Sequence, residues 1–160
     1  MKTITLTQEK VALVDDEDFE FLNKWKWHAQ KIGNTFYAAR GQRIKGSKKQ
    51  ITFYLHRVIM NVTNKNTLID HKDRNGLNCQ KINLRQCNRS ENGKNRQSRK
   101  SSTSKYLGVY YCNTYNRYTA EIVVMGKKKF LGRYVNETDA AKAYDEAAKK
   151  IHGKFANLNL

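Results

Sequence analysis

Three side chains between Leu68 and Asn95 combine the properties of metal ligands and of a base. Asp70 and His71 are neighbours, and Asn92 stands near the start of a predicted helix. The carboxylate and the amide offer hard oxygen atoms, which suit Mg²⁺ or Mn²⁺ better than zinc. An imidazole that stays off the metal can take a proton from water near neutral pH. This combination is typical of phosphodiester hydrolysis.

The surrounding residues predict the elements that position these side chains. The pair ends an apolar run, a loop rich in Gly and Asn follows, and residues 82–85 indicate a second strand. Ser90 or Asn88 can cap the helix that comes next. Because successive side chains of a strand face opposite ways, Asp70 and His71 can lie on different sides of one phosphate. We therefore expect the order strand, loop, strand, helix.

The stretch resembles the ββα-metal motif of the HNH homing endonucleases, in the variant whose last His is replaced by Asn. The resemblance rests on the sequences DHKDRNGLN, NLRQC and SEN, and the spacing agrees at Asp70, His71, Asn83 and Asn92. It implies that His71 is the general base and that Asp70 and Asn92 bind the metal. It also implies that Asn83 braces the loop and helps to orient the base.

Each of these residues also has a purely structural interpretation. An Asp-His pair beside a Gly-Asn loop is usually part of a turn, and an Asn at a helix start is more often a cap than a ligand. Asn83 taken alone is more simply structural, which agrees with the brace that the resemblance implies. The joint pattern favours catalysis, because structural turns do not require this spacing.

His56 is the rival candidate for a catalytic histidine. It lies in the run LHRVIM, residues 55–60, which predicts a short helix that leads to the strand of the pair. Its apolar neighbours favour a packed or hydrogen-bonded side chain. The adjacent Arg57 can clamp a phosphate or pair with a carboxylate, and the basic surroundings favour the phosphate.

The charge of the chain indicates a polyanionic partner, most simply nucleic acid. The 160 residues include 31 Lys and Arg against 14 Asp and Glu, which gives a net charge of +17. The excess is greatest over residues 55–100, with 11 basic against 3 acidic residues. We expect a monomer that binds double-stranded DNA, with no membrane and no small-molecule cofactor.

The cysteines and the apolar segments bear on the compartment. Cys79, Cys87 and Cys112 form no C-x-x-C pair and are odd in number, which favours reduced thiols over a zinc site. No apolar run resembles a signal peptide or is long enough to span a membrane. We expect a soluble, cytoplasmic protein of a bacterium or a phage-infected cell, not a secreted one.

Residues 1–54 predict a small mixed α/β unit. The acidic residues 15–18 suit the start of a helix, in which Phe19, Leu22 and Trp25 recur at helical spacing. Strands are expected at residues 4–6, 11–14, 36–39 and 51–54, the last two as a hairpin. The two tryptophans of this segment are expected to pack in or near the core.

The nuclease motif is expected to occupy residues 55–95, and a polar, basic linker residues 96–105. The Ser-rich linker should be flexible without DNA and should track the DNA backbone without reading bases. The alternative is an ordinary solvated tether. The DNA contacts expected from these two segments are Arg57, Arg85, Arg96, Arg99 and Lys100.

Residues 106–160 predict a three-stranded antiparallel sheet packed on one helix. Strands are expected at residues 107–111, 118–124 and 129–134. An Ala-rich face runs from Thr138 to His152, and Gly153 stands where a helix C-cap belongs. This arrangement leaves the opposite, basic and aromatic face of the sheet free to read a major groove.

This last segment resembles the ethylene-response-factor type (Apetala-two) DNA-binding domain. The resemblance rests on YLGV, YTAEI, FLGRY and AAKAYDEAA. Plant members carry Arg on the first strand where this chain has Tyr110 and Cys112, so plant target sequences do not carry over. The DNA contacts expected on the sheet are Tyr110, Arg117, Tyr118 and Arg133.

The sequence therefore predicts an α+β fold and a metal-dependent, sequence-preferring DNA endonuclease of the homing or mobile-element type. The metal is expected to be Mg²⁺ or Mn²⁺. One alternative is a DNA-binding regulator with an inert HNH scaffold, although the intact set of four residues argues against a decayed site. A second alternative is an RNA-binding structural protein, which would not need that set.

Overall fold

The computed structural model describes residues 1–98 and 101–160, and these fold into two compact units, Met1–Asn88 and Arg89–Leu160. Each unit combines helices with small antiparallel sheets. The predicted α+β class is therefore confirmed. Within the described residues, no helix is long and apolar enough to cross a membrane.

The first unit opens with a two-stranded sheet and a helix. Strands β1 (Lys2–Thr5) and β2 (Val11–Val14) pair antiparallel, and helix α1 (Asp16–Leu22) follows. The acidic residues at the start of α1 favour the positive end of its dipole. The helix ends at Leu22, so Trp25 lies beyond it although the apolar spacing continues to that residue.

A three-stranded antiparallel sheet comes next, in the order β3 (His28–Ile32), β4 (Thr35–Arg43), β5 (Gln50–Tyr54). The pairing of β4 with β5 confirms the predicted hairpin. Strand β3 was not predicted, because only Ala29 in it is fully buried and its apolar pattern is too weak to indicate a strand. Helix α2 (Leu55–Ile59) then leads out of the sheet, as expected.

The segment with the candidate catalytic pair follows as a second two-stranded sheet. Strands β6 (Leu68–His71) and β7 (Leu84–Cys87) pair antiparallel and are joined by a loop of residues 72–83. The short helix α3 (Arg89–Asn92) comes directly after β7 and belongs to the second unit. The predicted order of strand, loop, strand and helix is therefore present along the chain.

One core joins the first 54 residues to α2 and to the loop of residues 72–83. Its buried side chains come both from the first 54 residues, such as Val14 and Trp27, and from later residues, such as Leu55 and Cys79. The structure thus differs from the predicted boundary after residue 54. A segment of about fifty residues buries only a limited fraction of its surface, and side chains from α2 and the loop enlarge this core.

The second unit is a three-stranded sheet with a helix on one face. Strands β8 (Val109–Cys112), β9 (Arg117–Val124) and β10 (Lys127–Tyr134) are antiparallel in the order β10-β9-β8, and α4 (Glu137–His152) follows. Ala140 and Ala141 of α4 pack against Val109 and Ala120 of the sheet. Small side chains on both surfaces let the helix approach closely, and Gly153 ends it with a φ of 53°.

Part of the expected linker is tied to the second unit. The Ser102 hydroxyl donates a hydrogen bond to the carbonyl of Val109 (3.3 Å), and the Thr103 hydroxyl accepts one from the amide of Tyr111 (2.8 Å). These side chains satisfy backbone groups of the edge strand β8. The composition of this segment predicts a flexible tether, but in the structure its Ser102 and Thr103 side chains hydrogen-bond to the edge strand β8.

Candidate active site

The pair Asp70–His71 lies at the end of β6, and both side chains are buried, with 6% and 5% of their surface exposed. Asp70 faces Arg85 across the two-stranded sheet. The Arg85 Nη2 and Nε atoms lie 2.6 and 2.8 Å from Oδ2 of Asp70. A buried carboxylate is tolerated only with such compensation, so Arg85 balances the charge of the predicted metal ligand.

The oxygen atoms at this position suit a hard cation, but Arg85 already occupies one of them. A divalent ion at Asp70 would share the carboxylate with the guanidinium or displace it. Over the described residues, no group of three or more His, Cys, Asp and Glu side chains could hold a metal. Asn92, the second expected metal ligand, is the last residue of α3 and belongs to the second unit, so its role at Asp70 stays a prediction.

The His71 ring is packed between aromatic and sulfur groups from other segments. Its centroid lies 5.1 Å from that of His56 and 5.8 Å from that of Tyr37, and its Nε2 is 3.9 Å from Sγ of Cys79. Burial lowers the pKa of His71, while the carboxylates of Asp73 and Asp70 act in the opposite direction. A lowered pKa keeps the imidazole neutral at pH 7, which is the form that can accept a proton.

Asn83 holds the loop of residues 72–83 together. Its Nδ2 donates to Oδ1 of Asp73 (2.9 Å) and to the carbonyl of Asn78 (2.8 Å), and its Oδ1 accepts from the amide of Asp73 (3.0 Å). The predicted brace therefore has a direct structural counterpart. That it also orients the base remains a prediction.

Asp73 is a functional candidate that sequence reasoning missed. Besides Asn83, its carboxylate accepts hydrogen bonds from the amide of Asn75 and from Nδ2 of Asn78. These hydrogen bonds outweigh burial and lower the pKa of Asp73. It follows that a permanent negative charge stands near His71. The sequence signal was available, since Asp followed two residues later by Asn-Gly is typical of a turn.

The loop is anchored on residues far away in the sequence. The amide of Leu13 donates to the carbonyl of Leu77 (2.8 Å), and the amide of Cys79 donates to the carbonyl of Leu13 (2.9 Å). Asp15 accepts a hydrogen bond from the amide of Lys81 (2.8 Å). The loop that precedes the brace is therefore fastened to β2, and no local pattern could have indicated this.

Cys79, Cys87 and Cys112 form no disulfide bond. Cys79 and Cys87 are buried, and burial raises the pKa of Cys79 to about 12. A thiol with such a pKa stays protonated, whereas zinc requires a thiolate.

Two arginines expected to bind DNA are engaged within the first unit. Arg57 donates to the carbonyls of Thr67 (2.8 Å) and Asn64 (2.6 Å), and Arg85 is held by Asp70 as described. These contacts hold both guanidinium groups within the first unit. The roles of these two residues in DNA binding stay predictions.

Three of the four DNA contacts expected on the sheet of the second unit lie on one of its faces. Tyr110, Arg117 and Arg133 are on the face opposite α4, where the Arg133 guanidinium lies 3.7 Å from the ring centroid of Tyr115. Tyr118 is placed differently, because it packs half-buried against the cluster beneath α4. Its ring is therefore part of the packing of the unit.

The remaining expected contacts belong to the linker. The backbone carbonyl of Arg96 accepts a hydrogen bond from Nδ2 of Asn157 (2.6 Å), which ties this position to the end of the chain. Arg99 and Lys100 lie outside the described residues.

Comparison with known proteins found one match that extends over most of the chain. The chain is 28% identical over 149 residues to a mimivirus (Acanthamoeba polyphaga mimivirus) protein named "Uncharacterized HNH endonuclease L560", a match that covers 92% of the chain and 74% of that protein. Over most of its own length, this chain is therefore similar to a protein that is named as an HNH endonuclease. No family model matches the chain.

Plant DNA-binding proteins match over a shorter stretch. The chain is 36% identical over 66 residues to the "AP2-like ethylene-responsive transcription factor TOE2" of Arabidopsis thaliana, which is 41% of the chain and 14% of that protein. It is 44% identical over 57 residues to a protein of the same plant provisionally named dehydration-responsive element-binding protein 2H, 34% of the chain and 36% of that protein. The chain thus spans only 14% and 36% of the length of these two plant proteins.

Replacing Gly76 by Ala should destabilise the first unit by about 1–3 kcal/mol, as overpacking does. A Cβ at this position would lie 2.5 Å from the carbonyl oxygen of Phe36 and 2.8 Å from the ring of Tyr37. The free energy of unfolding in urea measures the effect. Gly93→Ala is the control, because its Cβ would meet no atom closer than 3.4 Å. Equal stability of the two variants would contradict the close contact.

The buried His56 should make the stability of the protein depend on pH. Burial, His71 and Arg57 together lower the pKa of His56 to about 3, and the rings of Tyr37 and Tyr54 also pack on it. Below about pH 6.5, His56 is protonated in the unfolded chain but stays neutral in the folded chain. The free energy of unfolding therefore falls as the pH drops from about 6.5 toward 3. Between pH 7 and pH 5 the loss from His56 should be about 2 kcal/mol.

Urea unfolding at several pH values measures this loss. His56→Phe should flatten the dependence, with His71, whose pKa is also lowered, accounting for part of what is left. The assignment is wrong if the variant loses as much stability as the wild type over the same range.

Proposed function

We propose that the protein is a metal-dependent, HNH-type DNA endonuclease of the homing or mobile-element type. The observation that carries the proposal is the buried imidazole of His71 beside the charge-balanced carboxylate of Asp70, next to a loop that is hydrogen-bonded through Asn83. The similarity to a protein named as an HNH endonuclease over most of the chain supports it.

In this proposal His71 is the general base. Its burial lowers its pKa and favours the neutral form, and the rings of Tyr37 and His56 pack beside it. His71 would take a proton from the attacking water and hold it while the phosphodiester bond breaks. A base held by packing in this way does not need to reorganise before the reaction.

Asp70 and Asn92 would hold the divalent metal, with Mg²⁺ as the natural candidate. A bound divalent ion supplies positive charge for the scissile phosphate and for the leaving oxygen. Arg85 would keep Asp70 in place and share its charge. Only Asp70 offers a carboxylate among these ligands, so we propose a single ion.

The second unit would supply DNA binding with a sequence preference. Its sheet exposes Tyr110, Arg117 and Arg133 on the face opposite α4, where strands can enter a major groove. The similarity to plant transcription factors supports this role. The double-stranded DNA partner is part of the proposal.

A DNA-binding regulator with an inert nuclease fold is the second candidate. It is favoured by the Arg85–Asp70 contact, which occupies an oxygen that a metal would need, and by the similarity to proteins named as transcription factors.

His71→Ala should lower the rate of DNA cleavage by about 10²- to 10⁴-fold, the usual contribution of a general base. DNA affinity should stay close to that of the wild type, because the substitution removes no positive charge. A plasmid-nicking assay and a binding titration measure the two quantities. His28→Ala is the matched control, since His28 lies on β3 of the same unit and has no role in the site. Equal cleavage by His71→Ala and wild type would exclude His71 as the base.

Asp70→Asn should raise the Mg²⁺ concentration needed for half-maximal cleavage, because a neutral amide binds the ion less tightly than a carboxylate. Arg85 would also lose its partner, so the variant must first be shown to remain folded by urea unfolding. EDTA should abolish cleavage by the wild type. Cleavage that persists in EDTA would rule out the metal, and binding without any cleavage in Mg²⁺ or Mn²⁺ would favour the inert regulator.

A further inference from the structure

A groove of about 710 Å³ opens on the first unit between α1, β5 and the residues that follow α2. Its walls are mainly aliphatic and aromatic. Phe21 of α1 and Ile51 of β5 line it and remain 53% and 48% exposed. Large apolar side chains gathered in a concave surface are typical of a binding site, because their exposure to water costs free energy.

An arginine with an incomplete set of partners lies in the same groove. The Arg40 guanidinium is 4.6 Å from the ring centroid of Trp25 and 4.3 Å from that of Phe53, so it lies against two aromatic rings. Its Nε is buried and has no hydrogen-bond partner in the structure. The guanidinium therefore brings a positive charge between the aromatic walls of the groove.

The charge of the groove selects the kind of ligand. Arg40, Arg57 and Lys65 line it, and no acidic residue does so among the described residues. Arg57 is held by backbone carbonyls, so no carboxylate neutralises its charge. A ligand that matches this groove must therefore carry both a flat apolar surface and negative charge.

We infer that this groove binds an unpaired segment of a nucleic-acid strand. A base would stack on the exposed ring of Phe21, next to Trp25, and phosphates would lie near Arg57 and Lys65. Bases inside a duplex are already stacked on each other, so only unpaired bases can offer their faces to aromatic side chains. An apolar peptide would fill the surface but would leave the positive charge unmatched.

The inference rests on the proposed function in one respect, namely that the bound strand would come from the DNA substrate. It adds that the first unit binds a single strand by its own groove, in addition to the duplex binding proposed for the sheet of the second unit. It does not involve Asp70, His71 or a metal, so it can be tested with cleavage switched off.

The tryptophans provide a readout that is local to the groove. The chain has two tryptophans. Trp25 lines the groove and Trp27 is buried, with 4% of its surface exposed. Titration of the full chain with a short oligothymidylate in EDTA should therefore quench the fluorescence of Trp25. Association elsewhere on this basic protein would leave that signal unchanged.

Phe21→Ala should weaken oligothymidylate binding by about 5- to 150-fold, the range expected for the loss of stacking on one base. Ile32→Ala is the matched control, because Ile32 is similarly exposed (44%) but lies on β3 outside the groove. The control should bind as the wild type does. Both side chains are at the surface, so neither substitution should unfold the protein.

Three outcomes would overturn the inference. They are equal affinities of Phe21→Ala and wild type, equal quenching by a duplex of the same length, and quenching by an uncharged apolar peptide but not by the oligonucleotide. Failure of the proposed nuclease would look different. It would show as an intact His71 site without cleavage, while oligothymidylate binding in EDTA could still respond to Phe21→Ala.

Discussion

The contact between Asp70 and Arg85 decides how a carboxylate can lie inside so small a unit. Removing an ion from water costs several kcal/mol, and only a well-placed counter-charge offsets this. The antiparallel register of β6 and β7 supplies it, because Asp70 stands opposite Arg85 and His71 opposite Leu84. A slip of one residue would move each side chain to the other face of the sheet. The charge pair and the strand register therefore depend on each other, and the place of the imidazole follows from both.

The environment of His71 is assembled from segments that are distant in sequence. Tyr37 comes from β4, His56 from α2 and Cys79 from the loop, and that loop is fastened to Leu13 of β2. The lowered pKa of His71 is thus a property of the whole first unit, since burial is its main cause. A fragment with only β6, the loop and β7 would leave the ring in water with an ordinary pKa.

The parts of the structure that could be predicted are those that local spacing determines. Helix α4 repeats its apolar face over several turns, and the pairing of β4 with β5 follows from two apolar runs around a turn. The pair at the end of β6 is indicated by residue type and spacing, whereas the bracing role of Asn83 is what the resemblance to the HNH motif implies. Tyr37 and Gly76 could not be found in this way, because their roles arise only where β4 meets the loop. The shared core was missed for the same reason, since Leu55 and Cys79 join it across a boundary that the sequence alone suggested.

Under the proposed function, affinity, selectivity and cleavage depend on different physical properties. The positive charge is densest over residues 55–100, and charge attracts any nucleic acid without regard to sequence. A preference for one sequence requires side chains that reach base edges, and the sheet face with Tyr110 and Arg133 is the surface suited to this. Cleavage requires neither property but depends on a neutral base beside a charge-balanced carboxylate. Added salt should therefore weaken binding to all DNA alike, whereas loss of packing around His71 should affect the chemical step and leave the sequence preference intact.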